Sequence, residues 1–208
     1  LVLLYVLSHI SIGKHLEAYR SDLKKGDTQG AYHCADQYLA VPEVRVSDDL
    51  TTMNHQVIRA LLHRWFEFFF LMVFWYMVAD IAGILLAWFS LQYARATHCD
   101  AQGWRYLHWI EWIPVRLLGL TYALAGDFLR AFPVLHSYLW DRTANSADVL
   151  YRVANESLAG QSVQMSSPVD ENAEEAAAEL DRWQRLHIRS LSVWMVIIGA
   201  ATVGGYLL

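Results

Sequence analysis

Phe68-Phe69-Phe70-Leu71-Met72-Val73-Phe74-Trp75-Tyr76, followed by Ile84-Leu85-Leu86-Ala87-Trp88-Phe89, decides the class of this chain. From Phe68 to Ala94 only Asp80 carries a charge. A bilayer core of ~30 Å needs about 20 apolar residues in helix, and this stretch supplies them. Trp65 and Tyr93 bracket it as an aromatic belt would. It reads as a membrane span.

Working outward, the next apolar segment runs from Trp104 to Phe132. Trp104, Trp109 and Trp112 crowd one end, and Pro114 follows. The uncharged core from Leu117 to Gly126 is too short to cross alone. With Ile110 and Ile113 it makes a tilted or kinked crossing; a re-entrant or buried segment is the competing reading. Leu191 to Leu208 is a last apolar segment of marginal length, continuing an Ala/Glu/Arg-rich helix from Glu171 to Ser190. Leu1 to Leu7 is apolar but far short of a span, and it has neither the basic start nor the cleavage site of a signal peptide. It reads as the tail of a truncated transmembrane helix, with a short core helix as the alternative.

The composition agrees with a mixed chain. Of 208 residues, 55% are hydrophobic and only 18% charged, against about 25% in ordinary soluble domains. Mean hydropathy is +0.21, mild for a chain that is membrane throughout. There are 16 Lys+Arg against 21 Asp+Glu, a net charge of −5, which argues against nucleic-acid binding. Two cysteines exclude a disulfide scaffold.

The polar parts read as helices. Leu16, Tyr19 and Leu23 form one apolar stripe, Lys25-Gly26-Asp27 is a turn with Asp27 as N-cap, and Ala31, Cys34, Ala35 and Tyr38 restore a helical face. Pro42 to Asp49 is a loop. His136 to Leu158 reads as an amphipathic helix broken near Asn145, and Gly160 to Pro168 as a linker. Basic residues lie near the segment ends in a pattern that places residues 11–64 and 134–189 in the cytoplasm. Arg95 and Arg105 then fall in a short external loop and the C-terminus is external. The expected organisation is all-α and polytopic. Residues 1–10 are the end of a truncated span, and 11–64 a cytoplasmic helical hairpin region. Two membrane segments occupy 65–133, cytoplasmic helices and a linker 134–189, and a C-terminal span 190–208.

Few residues offer chemistry. Asp80 is a carboxylate inside an apolar span, a functional candidate by default; the alternative is that the helix ends or breaks there beside water. Pro114 lacks an N–H and frees a backbone carbonyl, and Glu111 and Arg116 flank it as a structural ion pair or a site. His63 and Glu67 (i, i+4) and His108 and Glu111 (i, i+3) each share a helical face. Two such pairs suit a carboxylate-rich metal site in a bundle. The di-iron pattern has Glu before His and two further glutamates, so no metal site is expected. No phosphate loop or nucleophile elbow occurs, and no catalytic residue or cofactor is assigned.

The stretch from Glu67 to Tyr76 with Gly83-Ile84-Leu85-Leu86 resembles the AmpE family of bacterial inner-membrane proteins. So do His108 to Leu120, Ala125-Gly126-Asp127-Phe128, and Leu186 to Trp194. The resemblance covers most of the chain, and Pro114-Val115-Arg116-Leu117 is its most specific element. It implies a multi-pass inner-membrane regulator of β-lactamase induction, linked with a cytoplasmic amidase of muropeptide recycling or another inner-membrane protein. The family is similar to the cobalamin-pathway membrane enzymes CbiB and CobD, which join an aminopropanol derivative to a corrinoid carboxylate. That synthase branch has a Glu-Ser pair and further acidic residues where this chain reads Arg59-Ala60-Leu61-Leu62-His63-Arg64. Only Glu67 keeps an acid nearby, so a non-catalytic regulator is expected and an amide-forming synthase is the alternative. Asp80-Ile81 stands where the AmpE pattern has a Gly-Pro-like break, and Trp88 where a basic residue is common. The expected polar cluster is Glu67, Asp80, Glu111, Pro114 and Arg116, with the lipid membrane as a partner and no nucleic acid.

Overall fold

Apolar residues at helical spacing decide the elements, and polar side chains at their ends stop them. The computed structural model describes residues 16–25, 27–37, 50–96, 101–141, 144–159 and 171–204. Every regular element among the described residues is helical. Helix α1 covers 16–24 and buries Leu16, Tyr19 and Leu23. Asp27 then caps α2 (Thr28–Gln37), its Oδ1 accepting from the Gly30 amide at 2.8 Å. Ala31, Cys34 and Ala35 are buried as the stripe predicts. Residues 1–15, Tyr38, the 42–49 loop and the 160–168 linker lie outside the described residues.

Helix α3 (Leu50–Trp65) passes into a π-helical turn, Phe66–Phe70, and then α4 (Leu71–Ala96). By length and composition, Thr52–Ala96 is long and apolar enough to cross a membrane. Its path is not straight. Ala79 (φ −140°, ψ 21°) and Asp80 (φ 54°, ψ −141°) leave helical geometry. A straight helix would set Glu67 and Arg95 about 42 Å apart, yet their side chains bond at 3.0 Å. The chain therefore reverses at Ala79–Asp80 into an antiparallel hairpin. Gly83 makes the corner possible, because a Cβ there would run into the Trp75 carbonyl. The stretch read as one span is two arms, and Arg95, expected at the far end from Glu67, lies beside it.

Helix α5 (Ala101–Ala125) leads into α6 (Phe128–Leu139). The boundary drawn at 133/134 thus falls inside a helix. Asp127 starts that helix, its Oδ1 accepting from the Leu129 and Arg130 amides. Helix α7 (Ser146–Leu158) starts on Asn145, whose side chain accepts from the Ala147 amide at 2.9 Å. That cap is the break expected near Asn145. Gly126 lets the α5–α6 corner sit on the end of α7: Asp127 N–H donates to the Ser157 carbonyl at 2.9 Å, and a Cβ on Gly126 would lie 2.5 Å from that oxygen.

Helix α8 (Glu171–Val203) is continuous, as the sequence predicts. Its polar half joins the other polar helices. Glu179 accepts from Asn54 Nδ2 at 2.7 Å, Asp181 from Arg20 at 2.6 Å, and Trp183 stacks on Tyr151. Burial, then the Glu179 charge, pushes the Tyr151 hydroxyl up to about 12, so it stays neutral. Farther along, Tyr122 Oη pairs with His187 Nδ1 at 3.0 Å and Thr121 with Ser190 at 2.9 Å. These buried polar pairs set the register of α5 on α8.

Candidate functional site

The five residues expected to form one polar cluster divide into three places. Glu67 and Glu111 meet. Pro114 and Arg116 serve the backbone nearby. Asp80 lies apart, exposed at the hairpin tip.

The meeting of the glutamates runs through His63. Its Nδ1 faces Glu67 Oε1 at 3.9 Å and its Nε2 faces Glu111 Oε2 at 3.8 Å. Both gaps are ion-pair distances and too long for hydrogen bonds. Arg95, from the returning arm, donates to Glu67 Oε2 at 3.0 Å and lies 5.7 Å from the Phe68 ring centroid. The π-turn carries Glu67, and π-turns within α-helices recur at functional sites. Glu111 is only 3% exposed, and its Oε1 has no hydrogen-bond partner. Three helical pieces thus converge: α3 with the π-turn, the second arm of α4, and α5. His63 was legible as the i, i+4 partner of Glu67. Arg95 was missed as a contact because it is 28 residues away in sequence.

Glu111 and Arg116 do not pair. Five residues turn a helix by about 140° beyond a full circle, which points them to different sides. Arg116 instead caps α6. It donates to the carbonyls of Tyr138 (2.7 Å), Leu139 (3.2 Å) and Asp141 (2.6 Å). It also donates to its own helix at Trp112 (2.9 Å) and lies over the Trp112 ring. Helix ends leave carbonyls without partners, and a cation there satisfies them. Pro114 frees the Ile110 carbonyl, as the sequence predicts, and the Trp75 indole N–H takes it at 3.2 Å. That bond ties the first hairpin arm to α5.

Asp80 settles on the break rather than the buried carboxylate. Its φ of 54° is a left-handed conformation that non-glycine residues adopt at a cost. A Gly-like residue is what the resemblance implies at this point. Asp80→Gly is expected to stabilise the protein by about 1 kcal/mol, and the β-branched Asp80→Val to destabilise it. Thermal unfolding in detergent reads the sign; destabilisation by glycine would mean that the Asp80 side chain itself holds the corner.

The family described as regulatory signalling modulator protein AmpE matches residues 1–203. Protein AmpE of Shigella flexneri is 30% identical over 171 residues, 76% of this chain. The chain spans 60% of the length of that curated relative. No solved structure matches. With the match running over nearly its full length, the chain belongs to the AmpE family of regulatory signalling modulators.

Proposed function

We propose that the protein is a non-catalytic, multi-pass inner-membrane regulator of β-lactamase induction, linked to cell-wall recycling. The observation that carries this reading is the division of the surface between an apolar face on the α4 hairpin and the end of α8, and the polar contacts at the start of α8. Leu85, Trp88 and Phe89 on the returning arm are exposed, as are Met195, Val196 and Val203 on α8. Soluble monomers rarely leave apolar patches of this extent uncovered, and lipid is the natural cover. The same α8 begins among the polar contacts of Asn54, Arg20 and Tyr151. One unbroken helix thus joins a lipid-facing end to a charged end. A signal read at the first end reaches the second by biasing two arrangements of the packed helices. The proposed partner at the charged end is a cytoplasmic amidase of muropeptide recycling or another inner-membrane protein.

The test is β-lactamase induction in a deletion strain. Induction is expected to change severalfold on deletion and to return on complementation. Unchanged induction would overturn the regulatory reading. Formation of a corrinoid amide from its precursors by the purified protein would overturn its non-catalytic part.

A further inference from the structure

We propose that His63, Glu67 and Glu111 bind a divalent first-row transition-metal ion that ties the base of the α4 hairpin to α5. Each of the three offers one donor atom, and these lie within 4.8 Å of one another. Ligands at about 2.1 Å from one tetrahedral ion sit about 3.4 Å apart, so rotamer adjustment closes the set. The present spacing is too wide for hydrogen bonds.

Glu111 supplies the independent observation. It is nine-tenths buried, its Oε2 faces His63, and its Oε1 is orphaned. A buried carboxylate oxygen without a donor costs roughly 1–3 kcal/mol, more when charged. Within the cluster, Arg95 faces Glu67 and not Glu111. Of the two carboxylates only Glu67 therefore has an arginine against it, and a divalent ion would supply the missing charge at Glu111. His108, on the same side of α5 by its i, i+3 spacing, also has a buried Nε2 without a partner.

The donor set selects the kind of metal. One imidazole nitrogen with carboxylate oxygens suits Zn²⁺ or Mn²⁺ better than Mg²⁺ or Ca²⁺, which favour all-oxygen sites. The Glu-before-His order that the sequence pattern demands does not apply, because the third ligand arrives from another helix. The site stands independently of the regulatory reading.

The experiment uses the full chain, purified in detergent and stripped with chelator. Zn²⁺ is added while thermal unfolding is followed, and Mn²⁺ binding is read by electron paramagnetic resonance. Roughly one ion per chain and a raised unfolding temperature are expected. Glu111→Gln and His63→Gln should each weaken binding by more than about tenfold, the loss seen when even an outer partner is removed. No binding by the wild type, full binding by Glu111→Gln, or displacement of Mn²⁺ by equimolar Mg²⁺ overturns the proposal. If neither ligand variant yields folded protein, Arg95→Ala decides. Removing the competing cation should tighten Zn²⁺ binding, and equal or weaker binding overturns the site.

Discussion

Arg116→Ala is expected to destabilise the protein by roughly 3 kcal/mol, because one buried guanidinium satisfies carbonyls on two helices. Tyr138, Leu139 and Asp141 form the end of α6 and the residues just after it, and each gives a carbonyl to Arg116. The fourth acceptor, Trp112, lies on α5 itself. Truncation strands these oxygens where water reaches poorly, since Arg116 is only 7% exposed. It also removes the cation over the Trp112 ring at 4.3 Å. Arg116→Lys should recover only part of the loss, since an ammonium cannot spread donors over so wide an arc. Thermal unfolding in detergent and steady-state abundance in membranes check this. A loss of induction by Arg116→Ala at reduced abundance would then reflect folding. An unchanged melting temperature would mean that the α6 end is held elsewhere.

Gly83→Ala is expected to destabilise by about 2–3 kcal/mol, although helix propensity alone predicts a gain of about 1 kcal/mol. The sign turns on one contact. A methyl on Gly83 meets the Trp75 carbonyl, a backbone atom that cannot swing aside, and lies 3.2 Å from the Ala79 Cβ. Relief requires opening the corner, which pulls Arg95 away from Glu67. Spin labels at Phe68 and Tyr93, both exposed, report that opening directly. They are close in the hairpin and about 38 Å apart in a straight helix. The wild type should give the short distance and Gly83→Ala a longer or broader one. A wild-type distance near the straight-helix value would refute the hairpin. A Gly83→Ala protein of raised stability would refute the contact.

The helices themselves were legible because their signals are local. Leu16, Tyr19 and Leu23 mark a buried face, and Asp27 and Asn145 carry their caps in their own side chains. The break at Asp80 was legible as a charge in an apolar run. Its angle was not, since a full reversal depends on how closely Gly83 approaches Trp75 across the corner. The freed carbonyl of Ile110 could be predicted from Pro114, while its acceptance of the Trp75 indole is a tertiary fact. The same division applies to the acidic site. His63 and Glu67 share a turn and announce each other, whereas Glu111 joins them only because α5 crosses there. Arg116 shows the opposite error: proximity in sequence to Glu111 suggested a pair that helical geometry forbids. The start of α6 was also visible in Gly126-Asp127, but the apolar run through Phe132 masked it.

In the membrane setting proposed above, the reversal at Asp80 changes how this segment enters a bilayer. A helix that crosses must carry its trailing charges over with it. Two antiparallel arms entering together carry no arginine over, for Arg64 and Arg95 start and finish at the same face. Their shared apolar surface moves into lipid as one preformed wedge, and only the Asp80 tip advances. Insertion of this part then depends on closure of the corner, a step internal to the protein, and requires no arginine to cross the membrane.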